Sequence, residues 1–297
     1  MKYHEEATVF ACAGDMLLGI LAMPETPADT GVVVVVGGPQ YRVGSHRQFL
    51  LLSRAAAAAG YPVLRFDYRG MGDSEGQPRD FLAVDSDIAA AIDALYKNAP
   101  SVKQVALWGL CDGASAALLY CRHTNDLRVR GVCLLNPWIR SAASLARTQV
   151  KHYYVQRLAE RAFWLKFLSG KVAWGALRSL ASNVRAAFPG AGSTVVTGTP
   201  LFQTAMAQAI QTPNRSALLL LSERDYTAKE FLEYAKTDAV WADALSHPLL
   251  QRYELPDADH TCSSAALREL VETRMLKWLM QLGALNTPIG KAGHGGD

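Results

Sequence analysis

The chain has 297 residues, half of them hydrophobic, which is ample for one well-buried core with room for an insertion. A net charge of +3 excludes a whole-protein field of the kind that gathers nucleic acid. Five cysteines at irregular spacing, with no C-x-x-C pair, argue against a disulfide framework or a zinc site and for a reducing compartment.

The N-terminal residues 1–6 are polar and lack a signal-peptide apolar region. Residues 7–12 and 16–23, separated by Ala13-Gly14-Asp15, predict a hairpin. Residues 32–36 are an unbroken valine run, suited to a strand buried on both faces of a parallel sheet. A helix over 48–59 stopped by Gly60, a strand over 62–68 and a helix over 81–96 follow. Next come a strand over 104–110, a helix over 112–122 and a strand over 129–135. Strand–helix repetition with short connections predicts a right-handed, mostly parallel, doubly wound α/β sheet.

The rhythm breaks at Pro137. Residues 139–212 read as a helical insertion, a cap, and the core resumes over 213–285. That second part holds a strand over 216–222, a helix near 228–236, a strand over 252–255 and a helix over 264–282. The Gly-rich residues 286–297 read as a disordered tail. Nowhere do about 18 apolar residues run without interruption, so a cytoplasmic protein is expected.

Gly109-Leu110-Cys111-Asp112-Gly113 fits the G-x-nucleophile-x-G pattern, with a buried strand running in and an apolar helix running out. Such a turn strains the nucleophile's backbone and needs small neighbours, hence the glycines. A helix N-terminus also favours the thiolate form of the sulfur.

Three segments together carry a family resemblance. They are Gly37-Gly38-Pro39-Gln40-Tyr41-Arg42-Val43-Gly44-Ser45-His46-Arg47, Arg65-Phe66-Asp67-Tyr68-Arg69-Gly70-Met71-Gly72-Asp73-Ser74, and the Cys111 elbow. Across roughly residues 7–282 the chain resembles the α/β-hydrolase superfamily, in its serine-aminopeptidase and monoacylglycerol-lipase-like branch. Within it, the chain is most similar to exosortase A system-associated hydrolases of type 1. The resemblance implies an eight-stranded sheet with the cap inserted after strand 6, and a setting in extracellular polysaccharide production. Cysteine stands where serine is usual, which points away from ordinary lipase or peptidase activity.

In this fold the triad runs in chain order nucleophile, acid, histidine. His260, in Leu255-Pro256-Asp257-Ala258-Asp259-His260-Thr261, is the expected base. Asp225, just past a buried strand, is the expected acid, with Glu223 two residues earlier as its rival. The oxyanion donors are expected from the Asp112 backbone and from Gln40 or Gly38, because Pro39 has no N–H. Tyr41, Arg42, His46, Trp138 and Tyr226 are the expected substrate contacts. Asp67 and Asp73 read as members of a salt-bridged turn.

Residues 140–190 hold nine basic side chains against one acidic, with aromatics interleaved. This suggests an anionic, partly apolar partner: a lipid- or glycan-linked acyl substrate, or the inner membrane surface. Nucleic acid is not expected, since no recognition motif accompanies the charge. No metal or organic cofactor is implied. The leading expectation is a cysteine-nucleophile acyl hydrolase, esterase- or thioesterase-like, or an acyltransferase. The alternative is a weakly catalytic or non-catalytic partner that binds an anionic lipid-linked or glycan intermediate. Cys262, two residues past His260, leaves a redox role open.

Overall fold

The computed structural model describes residues 1–38, 40–140 and 201–284. The chain starts with a hairpin of β1 (Tyr3–Cys12) and β2 (Asp15–Pro24). Its two-residue turn puts Ala13 at φ 50° and Gly14 at φ 97°, matching the strands' right-handed twist. β3 (Thr30–Val35), α1 (Gln48–Ala58), β4 (Val63–Phe66), α2 (Asp85–Asn98), β5 (Gln104–Leu110), α3 (Asp112–Thr124) and β6 (Val129–Leu135) follow. The second stretch adds α4 (Phe202–Ile210), β7 (Ser216–Ser222), α5 (Tyr226–Thr237), α6 (Ala239–Leu245), β8 (Leu250–Leu255) and α7 (Ala265–Ala284).

The eight strands form one sheet in the order β1-β2-β4-β3-β5-β6-β7-β8. β1 and β2 run antiparallel at one edge, β2 meets β4 antiparallel, and all pairs beyond are parallel. This is the expected eight-stranded, doubly wound architecture.

The strands' period of two sorts their side chains between two cores. Val33 and Val35 of β3 join Val105 and Leu107 of β5 against α2, α3 and α4. Val32, Val34 and Val36 join Ala106, Trp108 and Leu110 against α1 and α7. Parallel strands bring every strand's C-terminal end to one edge, where the loops after β3, β4, β5, β6, β7 and β8 gather.

α4 departs from the expected boundaries. Its Ala205, Met206, Ala207, Ala209 and Ile210 are buried in the core that α3 covers. The core therefore resumes at about residue 200 rather than 213. Periodicity marks 202–210 as helical but cannot say which body its apolar face joins. The rest of the expected cap and the tail beyond Ala284 lie outside the described residues. Among the described residues, no helix is long and apolar enough to cross a membrane.

Candidate active site

β5 runs into Cys111, whose backbone sits at φ 58°, ψ −126°, and α3 begins at the next residue. A non-glycine residue held there costs on the order of 1–3 kcal/mol, so its surroundings must enforce it. They do so through both peptide groups. The Cys111 N–H donates to the Leu135 carbonyl (2.9 Å), and the Cys111 carbonyl accepts from Ala114 (3.1 Å) and Trp138 (3.2 Å). Gly109 and Gly113 stand where any side chain would strike backbone: a Cβ on Gly113 would lie 2.5 Å from the Val35 carbonyl. The loop after β3 can thus lie directly against the elbow.

Cys111 is half-buried, while Cys12, Cys121, Cys133 and Cys262 are buried. All five are free. Burial pushes the Cys262 thiol up to about 11 and that of Cys121 up to about 12, which disfavours the thiolate at both.

Asp225 and His260 come from neighbouring strand ends. Asp225 caps α5, accepting the Thr227 (3.1 Å) and Ala228 (3.2 Å) backbone N–H groups. Its Oδ2 lies 2.9 Å from His260 Nδ1. That leaves Nε2 as the ring nitrogen open to Cys111, whose side chain is near enough to raise the imidazole's pKa. The Asp225 bond, then Cys111, push the His260 pKa up to about 10 against the opposing effect of burial. The loops after β7 and β8 are zipped by Glu223 N–H to the Leu255 carbonyl (3.1 Å) and Arg224 N–H to the Ala258 carbonyl (2.9 Å).

The other carboxylates nearby turn elsewhere. Glu223 accepts the Asp257 N–H (2.9 Å), Asp257 pairs with Arg224, and Asp259 accepts the Thr261 (3.2 Å) and Ser263 (2.9 Å) N–H groups.

On the oxyanion side, burial raises the pKa of the Asp112 carboxyl, and the nearby backbone N–H groups of Gly38, Gly113 and Asp112 itself oppose that rise. The Gln40 side chain accepts from the Ser45 N–H (3.4 Å), and Pro39 lies outside the described residues.

The expected substrate contacts divide. Trp138 lies against the elbow through its N–H to Cys111. His46, at φ 53°, is exposed. Tyr41 is exposed beneath the Arg42 guanidinium, and Tyr226 is 80% exposed with Lys229 over its ring. Arg42 is the departure. Its guanidinium is bound by Asp67 and Asp73, and its N–H also donates to Asp67 (2.6 Å), so its charge braces the loop instead of awaiting a ligand.

One participant went unnoticed in the sequence. Asn136, fully buried at the end of β6, bonds both the acid-bearing strand and the histidine loop. The available signal was an asparagine before proline at a strand's end, which reads more readily as a turn.

A family model described as the alpha/beta hydrolase family matches residues 32–273. Among curated proteins, the quorum-quenching protein AidA of Acinetobacter baumannii is 34% identical over 113 residues, 36% of this chain and 36% of that protein. The polyketide transferase grgF of a Penicillium species is 35% identical over 94 residues, 30% of this chain and 31% of that protein. The chain thus covers about a third of the length of these curated relatives. An esterase of Pyrococcus furiosus superposes with a TM-score of 0.63 at 17% identity, covering 94% of this chain and 91% of that one. The GrgF hydrolase structure gives a TM-score of 0.62 at 19% identity, covering 95% and 99%. These two structural likenesses speak for the fold.

Proposed function

Because the chain belongs to the alpha/beta hydrolase family, we propose that it cleaves or transfers acyl groups through a thioester formed on Cys111. The observation that carries this reading is the relay from Asp225 Oδ2 to His260 Nδ1 (2.9 Å) and from that imidazole to a half-buried cysteine in a strained strand-to-helix turn.

His260, whose pKa Asp225 and Cys111 raise, takes the Cys111 proton, so an imidazolium faces a thiolate. The thiolate attacks the acyl carbon, a C–S bond forms, and the carbonyl π electrons move to oxygen. The Asp112 N–H and a donor from the loop after β3, Gln40 or Gly38, receive that oxyanion. Collapse breaks the bond to the leaving group, which departs with the His260 proton. Water or another acceptor then gives its proton to the neutral imidazole and attacks the thioester, releasing the acyl product and restoring the thiolate. Asp225 keeps the imidazole in one tautomer and stabilises its charge.

Sulfur narrows the substrate class. Thiolate is a good leaving group, so an amide's tetrahedral intermediate would expel sulfur rather than amine. Thioesters, lactones and activated esters fit. The Penicillium relative is a polyketide transferase, which supports keeping transfer beside hydrolysis. The resemblance to exosortase A system-associated hydrolases supports a substrate from extracellular polysaccharide production. The basic 140–190 segment supports an anionic lipid- or glycan-linked acyl donor met at the inner membrane surface.

Intact-protein mass spectrometry tests the chemistry. Wild type, Cys111→Ala and His260→Ala are incubated with aryl esters and acyl thioesters near neutral pH. The expected result is an acyl adduct in wild type, none on Cys111→Ala, and a rate at least about 10²-fold lower for His260→Ala. Equal labelling of all three, or of none, would overturn the mechanism.

A further inference from the structure

Asn136 is fully buried and takes φ 49°, in the left-handed region. Asparagine is among the few non-glycine residues that visit it at modest cost. Its backbone N–H donates to the Leu220 carbonyl of β7 (3.0 Å). Its carboxamide then joins the end of β7 to the His260 loop. Nδ2 donates to Ser222 Oγ (2.9 Å) and to the His260 carbonyl (3.1 Å), and Oδ1 accepts the Ser222 N–H (2.8 Å). Ser222 ends the strand that delivers Asp225, whose own N–H donates to the Ser222 carbonyl (3.2 Å). One residue before Asn136, the Leu135 carbonyl receives the Cys111 N–H. A single side chain just past β6, the strand between β5 and β7, therefore joins the acid strand to the base loop, and its backbone neighbour holds the nucleophile.

We propose that Asn136 is a positioning residue that sets the depth of the His260 loop against Asp225 and Cys111. The proposal rests on the Cys111–His260–Asp225 reading above. The chemistry of the residue is specific: a carboxamide supplies two N–H donors and an acceptor on one plane. Aspartate is the same size but, ionised, cannot donate to Ser222 Oγ or to the His260 carbonyl. Alanine leaves that carbonyl and the Ser222 N–H unpartnered, and the loop is free to shift. A misplacement of about 1 Å costs such chemistry up to about 10²-fold.

The test is the alkylation rate of Cys111 by iodoacetamide at neutral pH, followed by site-resolved mass spectrometry. It compares wild type, Asn136→Ala, Asn136→Asp, His260→Ala and Trp278→Phe. Trp278→Phe removes a buried bond to Ser216 Oγ at the opposite end of β7, so it is a control for lost stability alone. Loosening the fold exposes the sulfur and speeds alkylation, whereas displacing His260 slows it; the two effects have opposite signs. The expected result is that His260→Ala is slowest, both Asn136 variants fall about tenfold or more below wild type, and Trp278→Phe matches or exceeds it. Asn136→Asp carries the test if Asn136→Ala does not fold. If the folded Asn136 variants stay within about twofold of wild type while His260→Ala is slow, the positioning role is overturned and the triad stands. If His260→Ala alkylates as fast as wild type, the triad reading itself falls, and this role with it.

Discussion

Asp67 and Asp225 are built alike and placed alike, yet they do different work. Each follows a parallel strand, β4 or β7, and each is buried. Each accepts two backbone N–H groups: Arg42 and Asp73 for one, Thr227 and Ala228 for the other. Each then meets one basic side chain, Arg42 for Asp67 and His260 for Asp225. A guanidinium cannot release its proton in a protein, so the first arrangement can only hold a loop. An imidazole can, so the second can move a proton. The partner, and not the carboxylate or its burial, separates a brace from a relay.

The largest expected effect breaks this comparison at the relay. Asp225→Asn removes the charge that orients His260, and kcat should fall by about 10⁴-fold while the protein remains folded. Steady-state kinetics beside a thermal melt checks both halves. A fall of less than about tenfold would make Asp225 a second brace.

Asp67→Asn makes the opposite cut. It leaves Arg42, mostly buried, without its main partner, and stability should drop by about 3 kcal/mol. Rates per folded molecule should change only a few-fold. Denaturant unfolding with active-site titration separates the two, and a loss of kcat without a loss of stability would contradict the bracing role.

The smallest effect concerns pH. The His260 pKa is raised, to about 10, so the pair's contribution to stability is complete below the ordinary histidine value of about 6.5. It is lost as pH rises through 10. The melting-temperature gap between wild type and Asp225→Asn should therefore narrow above neutral pH. The gap between wild type and Asp67→Asn should persist, because Arg42 does not titrate there. The His260 side chain is about one-third exposed, so the narrowing is modest. Parallel behaviour of the two gaps would erase the distinction.

Much of the fold was legible because its signals are local. The valine run of β3, the Ala13-Gly14 turn and the glycines flanking Cys111 each carry their structure within a few residues. Strands β5, β6 and β7 begin and end where apolar runs do. Helix α6 escaped notice because its seven residues are capped by Asp238 and packed by Trp241 rather than marked by a long periodicity. For α4 the helical character was visible, but its membership in the core was not.

The sequence by itself determined the alternation of strands and helices and the elbow at Cys111, since each rests on periodicity or on residue types a few positions apart, while the resemblance to α/β-hydrolases pointed to His260 and Asp225. Only the tertiary structure decided which carboxylate meets which base. Glu223 and Asp225 differ by two residues in the chain, but one turns to the Asp257 N–H and the other caps α5 and reaches His260. It also decided that Arg42 is held by Asp67 and Asp73, and that Asn136 links a strand end and a loop separated from it by 86 and 124 residues. A hydrogen bond reaches about 3 Å. Which groups come within that reach is settled by where parallel strands set their ends side by side, and nothing local in the chain records it.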